Sequence, residues 1–272
     1  MLAGDNVALA LPNRTERTPF DHAFVTDGIM EQSGLSTKEG NHLFPLYLYP
    51  NVPDETTSKL PNTTQQTSIN SRLISQLSEA YSDEVTPEKV FNYTYAVLYT
   101  RPYRLTYSEF METDYPKIPF PRDEVLFKKF ESLGEELVLL HLLDHSNLES
   151  PGIKLHTEEG GDGENEVSEN TGEYYRHYDE EKQRLYINSD QYFAPVPQDV
   201  WEYEIGHRPV VNKWIQNRIG ETLSSNDIRK FCRIIRALME TISIQDGLDK
   251  SWEAIESNYL TFELKGQQTF DI

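Results

Sequence analysis

Apolar residues recur at helical spacing in the stretch 69–147, with polar residues between them. Thr86 followed by Pro87 is typical of a helix start, because threonine caps the free backbone N–H groups and proline suits the first turn. A longer amphipathic helix is predicted after residue 121. The apolar positions that define these helices are Leu73, Leu77, Ala80, Val90, Phe91, Tyr93, Leu98, Val125, Leu126, Phe130, Leu133, Leu137, Leu140 and Leu143.

A second helical stretch is predicted over residues 197–246. Pro197 and Pro209 each begin a short helix, and Ser224 or Ser225 caps a long final one. The apolar face of that last helix consists of Ile228, Phe231, Cys232, Ile235, Leu238, Met239 and Ile242.

Short apolar runs bounded by polar turns predict that residues 1–50 and 150–195 are rich in strands. We expect a sheet assembled from the N-terminal part of the chain and the region around residues 184–193, packed with the long helices. The predicted class is therefore α+β, with residues 1–272 treated as one domain. The runs are found at residues 7–10, 22–25, 43–48 and 185–188.

An acidic, glycine-containing segment interrupts the second strand-rich region. Residues 158–181 hold ten acidic residues and one base, Arg176, together with four glycines. Few apolar residues are available there to pack against a core. We therefore predict a flexible acidic loop at about residues 156–182.

The whole chain is strongly acidic, with 45 Asp and Glu against 25 Lys and Arg and a net charge of −20. Such a charge repels phosphate, so composition alone argues against DNA binding. No apolar run approaches the length needed to cross a bilayer, and the first ten residues lack a signal-peptide pattern. We expect a cytoplasmic protein without a membrane partner.

Patterns that would indicate catalysis or a bound metal are weak. His141, Asp144 and His145 have a spacing similar to some zinc sites, but no third ligand is evident, so a helix end with two partly exposed histidines is the better explanation. Glu263 and Lys265 resemble the acid-x-lysine end of a nuclease site, for which Asp246 and Asp249 are nearby acids in sequence. The lone Cys232 falls on an apolar helix face, so a buried, unreactive thiol is expected. We predict no catalytic residue, metal or cofactor in this chain.

Basic residues form three candidate DNA-binding clusters. The first is a polar loop between strands, the second surrounds the helix start at Pro209, and the third is one face of the final helix. Each has a plainer explanation, since every amphipathic helix needs a polar face and an arginine can simply cap a helix end. The clusters are Arg14 and Arg17; Arg208, Asn212, Lys213 and Arg218; and Arg229, Lys230, Arg233 and Arg236.

Several separated blocks resemble, in order, the C-terminal target-recognition (specificity) domain of type ISP restriction-modification enzymes. The match is most informative in LYIN, QYF, VPQDVWEYEIG and KWI, which begin at residues 185, 191, 196 and 213, with Arg218 beyond them. It continues in FVTD, LFPLYLYP, TPEKVFNY and DYPKIPFP, which begin at residues 24, 43, 86 and 114.

The resemblance implies a chain that reads double-stranded DNA for an adenine methyltransferase and is not catalytic by itself. The partner would be the methyltransferase domain or subunit of the same system, which would hold S-adenosylmethionine. The sequence contains neither the Pro-Pro motif that grips the target amine nor the glycine-rich turn for that cofactor. The net charge of −20 leaves one alternative, an acidic protein-interaction or DNA-mimic module that docks on a basic partner.

Overall fold

A computed structural model describes residues 5–12, 23–29, 41–49, 65–111, 114–161, 163–169, 178–205 and 208–262. The chain divides into two compact units. Unit 1 comprises Met1–Val138 and Gln245–Ile272, and unit 2 comprises Leu139–Ile244. Strands and helices occur in both units, which confirms the predicted α+β class.

Unit 1 begins with a three-stranded antiparallel sheet in the order β2-β1-β3. The strands are β1 (Ala8–Pro12), β2 (Phe24–Thr26) and β3 (Asn41–Pro45). Every residue of β1 is buried, which its apolar run ALAL allows without stranding a polar side chain. A two-stranded pair follows, formed by β4 (Tyr47–Leu48) and β5 (Gln66–Thr67).

Helices form the rest of the described N-terminal part of unit 1. Asn70 accepts a hydrogen bond from the first turn of one helix, and Thr86 does the same for the next, with Pro87 as its first residue. The elements are α1 (Ser71–Tyr81), α2 (Pro87–Tyr99), α3 (Arg101–Thr106), α4 (Ser108–Met111) and α5 (Glu124–His141).

Helices α2 and α5 approach each other closely at Gly134. A Cβ atom at this position would lie 1.9 Å from the carbonyl oxygen of Asn92. Since no side chain fits such a gap, glycine is required there for contact between the two backbones.

Three tyrosines fix an extended segment against the helices of unit 1. The hydroxyl of Tyr103 donates to the carbonyl of residue 117 at 2.8 Å, that of Tyr93 to residue 119 at 2.5 Å, and that of Tyr81 to residue 121 at 2.7 Å. The accepting carbonyls alternate because an extended chain points successive groups in opposite directions. Burial raises the pKa of all three phenols.

Unit 2 contains a four-stranded antiparallel sheet in the order β6-β9-β8-β7. The strands are β6 (Lys154–Thr157), β7 (Tyr178–Asp179), β8 (Arg184–Tyr186) and β9 (Gln191–Ala194). Leu185 and Phe193 lie opposite each other and are fully buried, so this face of the sheet meets the core. Lys154 pairs with Ala194 and therefore lies on the opposite face.

Short elements connect this sheet to the long final helix. They are α6 (Gln198–Trp201), the strand pair β10 (Glu204–Ile205) and β11 (Arg208–Pro209), and α7 (Val210–Gln216). Helix α8 (Ser225–Glu256) then contributes Phe231 and Ile235 to the core of unit 2. Its C-terminal part belongs to unit 1, where Asp249 accepts a 2.5 Å hydrogen bond from Arg101 Nε.

The predicted helices are confirmed, with two changes of length. The apolar stripe through Leu143 overestimates α5, which ends at His141 because Leu143 takes a left-handed backbone with φ of 61°. Helix α8 continues to Glu256, beyond the predicted end at residue 246. The strand-rich regions are present, but among the described residues they form separate sheets, so the expectation of one shared sheet is wrong.

Candidate nucleic-acid interface

Unit 2 contains a run free of acidic residues shortly before its final helix. Residues 205–220 contain no Asp or Glu, although the whole chain has 45 of them. Over residues 205–239 there are seven Lys and Arg against two acids, Glu221 and Asp227. This stretch therefore has a net charge of +5 within a chain of −20.

The core of unit 2 holds helix α7 by one face. Val211 is fully buried and Ile215 is 1% exposed, and these residues stand four apart on the helix. The opposite face, with Lys213 and Gln216, is exposed. The sequence thus anchors α7 through its apolar residues and leaves its polar ones to solvent.

A layered stack of side chains joins α7 to α8 and to the sheet. The Arg218 guanidinium lies 3.7 Å from the centre of the Trp214 ring, and Trp214 stacks on Phe231 at 3.9 Å between ring centroids. Phe231 in turn meets Phe193 edge-on at 4.8 Å. Arg218 also donates to the carbonyl of Trp214 at 3.1 Å, as the helix-capping interpretation of the sequence expects. The stack brings the end of α7 next to the start of α8.

The first turn of α8 carries a capping box. Ser224 Oγ accepts from the backbone N–H of Asp227 at 3.2 Å, and the Asp227 carboxylate accepts from the N–H of Ser224 at 3.1 Å. Hydrogen bonding from Ser224 lowers the pKa of Asp227, with smaller contributions from the charges of Arg218 and Lys230. Asp227 therefore stays ionised and lies within electrostatic range of both cations.

Four cations near this junction make no hydrogen bond or ion pair within the described residues, although Lys230 is attracted by the Asp227 carboxylate. All four are exposed. We call these four, together with Arg218, the basic surface. The four are Arg208, Lys213, Arg229 and Lys230.

The remaining members of the α8 cluster are partly buried. Arg233 donates through Nη2 to the carbonyl of Leu143, and Arg236 forms an ion pair with Glu240. The Nε atoms of both arginines are also buried, out of reach of a phosphate, so the basic surface is defined without Arg233 and Arg236. Arg14 and Arg17 lie outside the described residues.

The acidic segment adjoins the basic surface through backbone pairing. The N–H of Val167 donates to the carbonyl of Glu221 at 2.9 Å, and the N–H of Leu223 donates to the carbonyl of Asn165 at 2.9 Å. Val167 is fully buried. Residues 163–169 thus pair with the loop between α7 and α8 rather than forming a free loop, and the side chain of Glu166 is exposed beside it.

A buried amide fixes this pairing to the sheet. Gln191 is 2% exposed, its Oε1 accepts from the N–H of Asn165 at 2.7 Å, and its Nε2 donates to Asn165 Oδ1 at 2.8 Å. Asn165 itself has a φ of 57°, which asparagine tolerates better than most residues. No sequence pattern indicates this tether, because Gln191 is simply one polar residue in a predicted strand.

The weak catalytic patterns are engaged in structural contacts. His141 Nε2 lies 3.0 Å from Thr241 Oγ1, whereas His145 Nδ1 accepts from the N–H of Asn147. Asp246 and Asp249 both bind Arg101.

Neither a reactive thiol nor a metal cluster is evident in the described chain. Burial raises the pKa of Cys232 to about 11, which keeps it protonated. Among the described residues no group of three or more His, Cys, Asp or Glu side chains is placed to hold a metal ion. Glu263 and Lys265 lie outside the described residues. No described helix combines the length and apolar character that crossing a bilayer requires.

A family model described as the Type ISP C-terminal specificity domain matches residues 1–246. No curated protein matches the chain in sequence. Three solved structures share its fold, each at 21% identity or below.

The first of these structures is the "ATP-dependent Type ISP restriction-modification enzyme LlaBIII bound to DNA", with 21% identity, a TM-score of 0.64, and coverage of 90% of this chain and 16% of that one. The "DrdV-DNA complex" has 20% identity and a TM-score of 0.61, and the match covers 95% of this chain and 25% of that one. A nuclease-deletion mutant of the Type ISP enzyme LlaGI, "in complex with a DNA substrate mimic", has 15% identity and a TM-score of 0.56. That match covers 92% of this chain and 18% of the LlaGI chain. This chain spans a quarter or less of each.

Proposed function

We infer that this chain, which belongs to the Type ISP C-terminal specificity domain family, contacts a DNA duplex and helps to choose its target sequence. The names of the three solved structures, all of which contain DNA or a DNA mimic, support the proposal. The observation that carries it for this chain is the basic surface of unit 2.

The basic surface has the chemistry that a DNA backbone requires. Lysine and arginine neutralise phosphates and release condensed counterions, which is the main source of sequence-independent affinity. Arg208, Lys213, Arg229 and Lys230 are exposed and have no acid pairing with them among the described residues. They can therefore bind phosphate without first breaking an ion pair.

Bond-breaking chemistry belongs, in this proposal, to other parts of a larger enzyme. A methyltransferase domain or subunit would bind S-adenosylmethionine and receive the target adenine, which must leave the helical stack to be modified. The chain described here would set register through phosphate contacts and contribute to sequence choice. A cytoplasmic location, where the cell's DNA is accessible, is part of the same proposal.

The test is binding of a fluorescent duplex by the 272-residue chain, measured by anisotropy at several salt concentrations. We expect binding at low salt that weakens as a power of the salt concentration. Replacing Lys213 or Arg229 with alanine should weaken binding to all duplexes and reduce the slope of log K against log salt by about 1 for each lost phosphate contact.

The matched control is Lys154→Ala. It removes the same charge from unit 2, but Lys154 lies on the face of the sheet opposite Phe193 and the core. We expect its affinity and salt slope to match those of the unmodified chain. If the unmodified chain binds no duplex at low salt, the proposed function is wrong, and capture of a basic protein instead would favour the acidic-module alternative.

A further inference from the structure

We propose that helix α7 reads base edges, with the side-chain amides of Asn212 and Gln216 as its specificity-determining groups. The inference rests on the proposed function, because it assumes that the basic surface lies on DNA. It adds a distinction between the residues that hold the duplex and the residues that discriminate its sequence.

The composition of the exposed face of α7 supports this role. The helix has no acidic residue, and its solvent-facing side presents a lysine and neutral amides. Phosphate binding requires positive charge, but amides add none. Asparagine and glutamine are instead suited to adenine, where one amide donates to N7 and accepts from N6 in the major groove.

These amides are available for contact. Gln216 and Asn217 are exposed and Asn212 is half-exposed, and none of the three side chains hydrogen-bonds to another described residue. By contrast, Gln191, Gln245 and Asn188 in the same chain all have their amides in hydrogen bonds. The amides of α7 thus differ from those that stabilise the fold.

The dimensions of α7 fit a short recognition element. Its seven residues span about 10 Å at 1.5 Å per residue, which is close to three base-pair steps of B-DNA. Asn212 and Gln216 stand four residues apart on one face, so their side chains lie about 6 Å apart along the axis. They would therefore address bases roughly two steps apart.

The surrounding structure makes α7 rigid and flanks it with cations. Val211 and Ile215 anchor the helix in the core, and the Arg218–Trp214 stack fixes its C-terminal end. Arg208 precedes the helix and Arg218 follows it. Phosphate contacts on both sides would hold the amides at a groove, as base readout requires.

The experiment selects bound sequences from a duplex pool with about ten randomised base pairs, using the 272-residue chain. We expect the unmodified chain to enrich adenine at two positions roughly two steps apart. Asn212→Ala and Gln216→Ala should each reduce that preference by about tenfold or more at one position, while overall affinity for the random pool stays within about twofold.

Two controls separate this inference from the proposed function. Asn147→Ala removes an exposed amide of unit 2 outside α7 and should leave the enriched sequence unchanged. Lys213→Ala should weaken binding to the whole pool without shifting the enriched bases. Asn212→Ala and Gln216→Ala replace groups that are at least partly exposed, and far-UV circular dichroism will show that these two variants retain their helix content.

The inference is overturned if the amide variants enrich the same sequence as the unmodified chain. It is equally overturned if the unmodified chain binds duplex but enriches no sequence, and in that case the proposed DNA contact still stands. Absence of any duplex binding would instead reject the proposed function itself.

Discussion

Replacing Trp214 with alanine tests how unit 2 supports its basic surface. The indole stacks on Phe231 at 3.9 Å and carries the Arg218 guanidinium at 3.7 Å. An aromatic pair contributes about 0.5 to 1.5 kcal/mol, and an exposed cation-π contact adds about 0.5 to 1 kcal/mol. Burial of a half-exposed ring contributes about 1 to 1.5 kcal/mol more. We therefore expect the free energy of unfolding to fall by about 3 kcal/mol.

Urea unfolding followed by far-UV circular dichroism measures this loss, provided that the m value is unchanged. Trp214→Phe is the matched variant, since it keeps a ring between Phe231 and Arg218, and it should lose only about 1 kcal/mol. The alanine variant should also bind duplex more weakly than the phenylalanine variant, because Arg218 loses its support. A loss below about 1 kcal/mol for Trp214→Ala would refute the view that the stack organises this part of unit 2.

Three further predictions concern packing, pH and charge. Gly134→Ala should destabilise the protein by about 3 kcal/mol or more in the same urea assay, since its Cβ would meet the Asn92 carbonyl. Gly247→Ala on α8 is the control, because a Cβ there meets only ordinary contacts, and it should stabilise the protein by about 0.5 to 1 kcal/mol. Burial raises the pKa of Tyr93 and Tyr103 in the folded protein. Above about pH 10 the same two phenols therefore lose protons in the unfolded chain but keep them in the folded one. The pKa of the Cys232 thiol is also raised, to about 11, so this thiol ionises more readily in the unfolded chain above about pH 9. Stability should therefore begin to fall above about pH 9 and fall more steeply above pH 10, as thermal melts at pH 8 to 11 would show. Glu166→Gln with Glu169→Gln should raise duplex affinity about twofold at low salt, with no gain at high salt, because both exposed acids lie on the segment paired with the α7–α8 loop.

Local signals in the sequence predict most of the helices. Thr86 with Pro87 begins α2 because its cap and first-turn proline act within four residues, and Ser224 begins α8 for a similar reason. Apolar spacing alone predicts too long a helix α5, because the spacing continues through Leu143, where the backbone turns left-handed. Strand pairing depends on distant residues, so the sequence did not reveal that the two strand-rich regions form separate sheets.

The candidate site shows the same limit. The ion pair of Arg236 with Glu240 is visible in the sequence as an i,i+4 spacing. The partner of Arg233 is a carbonyl 90 residues earlier, which no local pattern indicates. The exposed amide of Gln216 could have been found from its spacing of three residues from Lys213, once Val211 and Ile215 had defined the buried face. The stack of Trp214 on Phe231 could not have been found in this way, since the two rings belong to different helices separated by a loop.

The acidity of the chain and its proposed contact with DNA are compatible because charge acts locally. At physiological ionic strength the Debye length is about 8 Å, so a phosphate on Lys213 is attracted mainly by cations near it and is repelled only weakly by distant acids. Residues 158–181 supply −9 of the net charge, and residues 205–220 contain no acid. The backbone of residues 163–169, however, pairs with the loop beside the basic surface. The exposed acids on this segment should therefore reduce affinity for any duplex regardless of sequence. In our proposal, neutral groups that add base contacts then decide which sequences stay bound, and the amides of α7 are such groups.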